Sequence, residues 1–348
     1  MIFKTEEKIF LEKEVPLEGG TSFPVLTFAA WENLPGIRHC FTTRAGGVSE
    51  GYLSSLNLRR GLYDPDENVN ENFRRIALFF ETSPDRIVCA QQTHTSNVRI
   101  VTEADAGKGV TRDRDYTDVD GLITDVPGLV LYTSHADCVP IYFYDPVRRV
   151  IALAHSGWKG TAARIGEVTI RKMKEIYGCR PEDIYAAIGP SICQDCYEVS
   201  EDVAEAMRGC FAKGSSTEGS STEDSSTEGS FTEDRSTEDR STEDGFTEDG
   251  VTKGIFTIDR KESEKAVQDD SDAVPGITIP GILARGKFPG KYQLDLWRAC
   301  ERILLEAGIL PDHLTITNLC TCDNSRELFS HRATAGRRGN QGAFLMMT

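Results

Sequence analysis

No run of the 348 residues approaches the ~20 consecutive apolar side chains that a membrane-spanning helix requires. The opening stretch MIFKTEEKIFLEKEV is charged throughout and has no apolar centre of the kind a secretory signal carries. These two absences predict a cytoplasmic protein with no membrane association. Positive charge is scarce as well: 39 Lys and Arg stand against 55 Asp and Glu, a formal net charge of −16. No segment interleaves basic with aromatic residues, which argues against a nucleic-acid partner. Histidine is rarer still, with six in all and none arranged as His-x-His.

Cysteine is plentiful, with ten residues. In a chain that is neither small nor marked for secretion, reduced thiols are the default. Cys193 and Cys196 form a Cys-x-x-Cys with no second such pair to complete four sulfur ligands, and Pro190 with Ser191 sets it in a loop. It and the Cys320/Cys322 pair therefore read as buried thiols. Hydrophobic residues make up 39% of the chain, enough for a sizeable core.

Much of the negative charge is concentrated. Residues 216–250 are seven copies of a five-residue unit, STEGS through FTEDG, holding seven Glu, five Asp and two Arg. A period of five fits neither the 3.6 of a helix nor the 2 of a strand, and the units have too little apolar surface to offset ordering entropy. The expectation is a disordered acidic insertion over 212–275, tolerated in a surface loop. Residues 1–211 and 276–348 are then expected to form one domain.

Outside that insertion, short apolar runs alternate with helical patterns. The runs at 129–132, 139–144 and 150–154 lie at hairpin spacing, so their sheet is expected to be partly antiparallel. Thr161 opens a helix along Ala162, Ile165, Val168, Met173 and Ile176, ended by Gly178. Asp295 caps another through Trp297, Cys300, Ile303, Leu304 and Ala307, ended by Gly308. The class is α+β.

Three residues combine soft and borderline ligand atoms with positions at strand ends: His94, Cys138 and His155. Two imidazoles and a thiolate suit a borderline-soft divalent metal, and three protein ligands leave a tetrahedral position for chemistry. Taken singly, each is equally a packed core residue. Asp137, beside Cys138, and His135 could orient a ligand or move a proton. Successive strand residues face opposite ways, so Asp137 and Cys138 meet the same metal only if the chain there is a loop. Arg44, before the Gly46–Gly47 pair, suits an anion such as phosphate. Asn57 could bond substrate or cap a turn, and Arg332 and Arg337 could complete an anion site or be solvated.

The motifs FTTRAGGVSEGYLSSLNL (41–58), QQTH (91–94), DVDGLIT (118–124), ADCVPI (136–141), AHSGWKGT (154–161), IGPSICQDCYEV (188–199), LDLW (294–297) and CTC (320–322), with LFSHR and AGR after it, run in one order along the chain. Together they resemble the YfiH family, also called the laccase-domain or polyphenol oxidase family. Lys159 and His331 depart from the family's usual residues. The resemblance implies a single-domain layered αββα sandwich with mixed, partly antiparallel sheets, and Zn2+ held by His94, Cys138 and His155. It further implies a purine nucleoside phosphorylase acting with phosphate on adenosine, inosine and S-methyl-5′-thioadenosine, with adenosine deaminase activity at the same centre. Two other chemistries compete. One is a Cys138 nucleophile with His155 as base, in a hydrolase or deamidase. The other is copper oxidation of phenols, for which six histidines without His-x-His pairs are a poor ligand supply.

Overall fold

A computed structural model describes residues 1–61, 63–212 and 277–348, all within one compact unit. Of the span 212–275 expected to be an insertion, Ala212 closes a helix and the remainder, with the acidic repeat, lies outside the described residues.

The strands in chain order are β1 (Phe10–Pro16), β2 (Ser22–Phe28), β3 (Ile37–Thr42), β4 (Ile87–Cys89), β5 (Val98–Ile100), β6 (Gly121–Thr124), β7 (Val130–His135), β8 (Val139–Asp145), β9 (Val150–Ser156), β10 (Tyr185–Ile188), β11 (Glu198–Ser200), β12 (Leu283–Arg285), β13 (Lys291–Leu294), β14 (Leu314–Ile316) and β15 (Gln341–Met347). The α-helices are α1 (Asp66–Phe79), α2 (Trp158–Ala162), α3 (Ile165–Tyr177), α4 (Glu201–Ala212) and α5 (Leu296–Glu306). One six-stranded mixed sheet runs β1-β2-β3-β15-β7-β4, a second runs β14-β10-β8-β9-β6-β5, and β11-β13-β12 form a small third sheet.

The pleat explains how these layers stack. Along β8, Tyr142 and Tyr144 point into a core shared with Phe28, Phe41, Leu131 and Leu345 of the first sheet. The intervening Ile141 and Phe143 face the other way, into a core shared with α3, α4 and α5. On the outer face of the first sheet, Val130, Tyr132 and Phe344 pack against Val69, Phe73 and Ile76 of α1. The order is helix, sheet, sheet, helices: the layered αββα sandwich. Because β8 is covered on both faces, all seven of its residues are buried, and its sequence is a nearly continuous apolar run. Tyr142 also links the two layers through its hydroxyl, which donates to the Cys40 carbonyl at 3.0 Å.

Two local expectations change. The 129–132 run does not join the 139–144 and 150–154 runs. β8 and β9 pair as an antiparallel hairpin in the second sheet, whereas β7 lies between β15 and β4 in the first. The chain crosses between layers at Ala136–Cys138, where Asp137 has φ 86°. The helix expected from Thr161 starts earlier, at Trp158, and breaks at Arg164 in the left-handed region (φ 56°). Arg164's guanidinium pairs there with Glu167 and Glu306, which offsets the cost of that conformation. Gly178 ends α3 at φ 67°, and Asp295 caps α5 by accepting from the Arg298 N–H at 3.0 Å, a bond that contributes about 1 kcal/mol. Among the described residues no helix is long and apolar enough to cross a membrane.

Candidate metal centre

Strand register brings the site together. In the β8/β9 hairpin, Pro140 stands opposite His155, so Cys138, just before β8, lies beside the end of β9. On the other flank of β9, Gly121 pairs with Ala154, and the Asp120 carbonyl accepts the His155 N–H at 2.7 Å. His94 comes from the loop between β4 and β5. The ligand atoms of His94, Cys138 and His155 all lie within 4.8 Å of one another, with His155 buried, Cys138 half-buried and His94 exposed. Cys138 Sγ is 3.9 Å from His94 Nε2.

Asp120 organises the group, and it is the residue that sequence reasoning missed. Its carboxylate is fully buried and accepts from the backbone N–H groups of Thr93, His94 and Thr95 and from the Thr95 hydroxyl. These bonds hold His94 at φ 66°, a conformation a free loop would rarely adopt. The same carboxylate accepts from His155 Nδ1 at 2.8 Å, which fixes the tautomer and leaves Nε2 for the cluster. Asp120 stands in the quoted DVDGLIT motif, but an Asp before Gly reads equally well as a turn.

Electrostatics follow from this packing. Burial opposes ionisation of Cys138, yet His155 and His94 outweigh it and bring the thiol down to about 6. Burial likewise disfavours a charged His155, but Cys138 and Asp120 raise it to about 9. Asp120 is held at about 2: burial opposes its charge, while His155 and the Thr95 donors favour it more strongly. Both shifts favour a thiolate beside an imidazolium, and a cation held there would displace the imidazolium proton. Gly157 makes room for the three ligands, because a Cβ at that position would sit 2.8 Å from His94 Cδ2 and 3.1 Å from Cys138 Sγ. The donor set, the fixed tautomer and this glycine cradle all fit a tetrahedral divalent metal with one position open to solvent.

The centre opens on a cavity of about 310 Å³, whose walls include Arg59, Arg114, Tyr132, Arg338 and Asn340. Arg338 Nε is buried without a partner, while the rest of its guanidinium reaches Asn340. Burial and the neighbouring Arg59 hold the Arg338 pKa below its ordinary value. Arg59 and Arg338 thus stand on one wall of a cavity that Arg60 and Arg114 also line.

The other expected site residues lie elsewhere or act through the scaffold. Arg44 is not brought to the cavity: it donates to the carbonyls of Ser54 (3.0 Å), Ser325 (2.8 Å) and Tyr52 (3.5 Å) and stacks on Phe329. Asn57 is fully buried and uses both ends internally, donating to the Arg59 carbonyl and Asp64 and accepting from the N–H groups of Arg59 and Asn340. It positions two cavity residues. Asp137 sits in a turn, as its sharing of a face with Cys138 required, but both carboxylate oxygens are engaged, by the Thr321 hydroxyl and the Arg332 N–H at 2.6 Å each. His135, kept neutral by burial, bonds the Cys138 carbonyl through Nδ1 at 3.0 Å. Arg332 donates to the carbonyls of Cys196 and Glu198, and Arg337 stacks on Tyr52. The arginine that reaches the cavity is Arg338, one position on.

Comparison with known proteins gives a consistent result. A family model described as multi-copper polyphenol oxidoreductase laccase matches residues 38–236 and 250–348. Purine nucleoside phosphorylase YlmD of Bacillus subtilis strain 168 is 30% identical over 311 residues, 88% of this chain and 87% of the relative. Adenosine deaminase RL5, from an unknown prokaryotic organism, is 32% identical over 178 residues, 51% of this chain and 68% of the relative. The crystal structure of the hypothetical protein YfiH of Bacillus licheniformis superposes with a TM-score of 0.70 at 28% identity, covering 93% of this chain and 96% of that one. The chain therefore belongs to the multi-copper polyphenol oxidoreductase laccase family, the YfiH family that its motifs resemble, and is an enzyme of that family.

Proposed function

We propose that this enzyme is a zinc-dependent purine nucleoside phosphorylase acting on adenosine, inosine and S-methyl-5′-thioadenosine, with zinc held by His94, Cys138 and His155. The reading rests on one observation: His94, Cys138 and His155 converge beside a cavity whose wall carries Arg59 and Arg338. Among the described residues the Arg59 guanidinium has no hydrogen-bond or ion-pair partner, and Arg338 keeps its Nε unpaired, so an anion is the chemistry that would complete the wall. The names of the relatives supply the substrate class.

When bound, zinc supplies Lewis-acid polarisation and acidifies water. Asp120 holds His155 in one tautomer and shapes the His94 loop, so the ligands are in place before substrate arrives. Arg59 and Arg338 hold phosphate in the cavity and aim one of its oxygens at C1′ of the ribose. The N-glycosidic bond breaks as the new C–O bond forms, and the leaving purine nitrogen takes the proton that the hydrogen phosphate gives up, directly or through water. The products are the free purine and the sugar 1-phosphate (ribose 1-phosphate from adenosine and inosine, its 5-methylthio analogue from S-methyl-5′-thioadenosine). Adenosine deamination, the activity named for the RL5 relative, uses the same centre but needs no phosphate.

The experiment is product analysis on inosine and adenosine with and without inorganic phosphate, before and after zinc removal. Phosphate-dependent ribose 1-phosphate that disappears with the metal supports the reading. Phosphate-independent cleavage to free ribose, or activity indifferent to chelation, sinks it. The thiolate character of Cys138 beside a protonated His155 is also that of a cysteine hydrolase. Inactivation of the metal-free protein by thiol alkylation, with catalysis surviving zinc removal, would favour that alternative.

A further inference from the structure

Among the described residues a second group of ligand atoms converges, well apart in sequence from the first: Cys193, Cys196, Cys320 and Asp323, all within 4.8 Å of one another. Cys193 and Cys196 were read above as thiols without a second pair to complete a site. The structure provides that pair in another form, since Cys320-Thr-Cys-Asp323 repeats the two-residue spacing with a carboxylate in the last position. We propose that Cys193, Cys196, Cys320 and Asp323 bind a structural zinc ion, distinct from the centre at His94, Cys138 and His155.

The surroundings are those of a built site. Ser191 and Cys320 form a parallel β-bridge, and the Thr321 N–H donates to the Ser191 carbonyl at 3.1 Å, so the two ligand arms are aligned by backbone. Cys193 and Cys196 flank a tight turn in which the Cys196 N–H donates to the Cys193 carbonyl at 3.2 Å. The Cys193 N–H points at Cys320 Sγ, 3.4 Å away, a donor that stabilises a thiolate ligand. Asp323 Oδ1 lies 3.2 Å from Cys196 Sγ, while Oδ2 is bonded to the Lys4 ammonium at 2.8 Å. Oδ2 also lies 3.9 Å from Cys193 Sγ but is held by the lysine, so Oδ1 is the oxygen placed to ligate, on a carboxylate supported from behind.

The chemistry of the set selects the metal. Tetrahedral zinc with Zn–S bonds of ~2.3 Å places its ligand atoms roughly 3.8 Å apart, the scale of this cluster, and three sulfurs favour zinc over magnesium or calcium. Cys193 and Cys320 are buried, Cys196 is half-buried, and four protein ligands leave no open position, which makes the site structural. Lys4 offsets part of the excess negative charge. The ion would fasten two segments that both hold Asp137, since Ile192 N–H donates to the Asp137 carbonyl and Thr321 to its carboxylate. Asp137 immediately precedes Cys138, so the second zinc steadies the layer crossing that presents the first site's thiolate.

The test is metal stoichiometry of the full chain purified under reducing conditions and reconstituted with zinc alone. The parent should hold about two zinc ions per chain, and Cys320→Ser and His94→Ala about one each. To guard against a variant that fails to fold, the parent itself is alkylated with iodoacetamide and mapped by mass spectrometry. Cys193, Cys196 and Cys320 should be protected together and become reactive together when a chelator is added. About one zinc per parent chain, a disulfide among these three sulfurs, or alkylation that ignores the chelator would overturn the proposal.

Discussion

Asp120 and His155 are joined by a 2.8 Å bond from the imidazole Nδ1 to a carboxylate with no exposed surface, and that same carboxylate gathers three successive backbone N–H groups around His94. One side chain thus sets the orientation of two of the three candidate metal ligands. Asp120→Asn keeps the volume but turns an acceptor-only group into one with an N–H2 that must face donors. Zinc affinity should fall about tenfold to a hundredfold, as for other groups that support a ligand imidazole from behind. A competition titration against a chromogenic chelator measures this. An affinity equal to the parent's would mean that the bond is incidental.

Gly157 separates a local steric effect from a backbone effect. Its φ of −74° is open to any residue, so alanine there strains nothing in the main chain. The added methyl instead meets His94 and Cys138. Gly157→Ala should lower zinc content and catalytic rate by at least about tenfold while unfolding free energy stays within about 1 kcal/mol of the parent. Metal analysis and denaturant titration of the same sample check both halves. A stable, fully metallated variant would remove the glycine from the argument.

The convergence of His94, Cys138 and His155 was legible because each lies at or near the end of a short apolar run, and ends of adjacent strands converge. Asp120 was not, because its role depends on β6 lying beside β9, a pairing invisible in DVDG alone. Arg44 misled for a related reason: an arginine before two glycines suits an anion until its donors are found on three carbonyls. Arg337 and Arg338 are adjacent, and only the packing shows which one enters the cavity. The layering was hidden at Ala136–Cys138, where three strands close in sequence look like one meander although the chain changes sheet. The helix ends at Gly178 and Gly308 were readable, being set by local chemistry.

His39 gives a pH dependence of stability that is independent of the metal. It lies in the core between Phe28 and Trp31, its Nε2 accepts the Phe28 N–H at 2.8 Å, and burial pushes its pKa down to about 3. The unfolded chain binds a proton at this residue below about pH 6.5, whereas the folded one refuses it down to about 3. The stability it contributes is therefore fully present above the unfolded pKa and is lost as pH falls through that window, at about 1.4 kcal/mol per pH unit. His39→Gln, whose side-chain oxygen can accept from Phe28, should flatten the acid limb by that amount. Buried His135 keeps its own share, so the limb should not vanish. Denaturant titrations from about pH 4 to 6 on both proteins decide it, and parallel limbs would refute the assignment.

The division between anion wall and metal centre predicts how two arginines differ. Arg338 lines the cavity with a buried Nε lacking a partner, whereas Arg44 is bonded to the carbonyls of Tyr52, Ser54 and Ser325. Removing one charge-assisted contact to phosphate costs roughly 1.5 to 3 kcal/mol, so Arg338→Ala should reduce phosphorolysis about tenfold to a hundredfold, chiefly through the phosphate requirement. Zinc content should not change, and adenosine deamination, which needs no phosphate, should suffer far less. Arg44→Ala should instead lower stability by about 1 to 3 kcal/mol by leaving carbonyls unpaired, with the phosphate KM near the parent's. Steady-state kinetics at varied phosphate, beside unfolding curves for both variants, separate the two roles. If Arg44→Ala raised the phosphate KM and Arg338→Ala did not, the anion would belong with the 41–58 segment. If both activities fell equally in Arg338→Ala, the residue would be supporting the metal centre rather than holding phosphate.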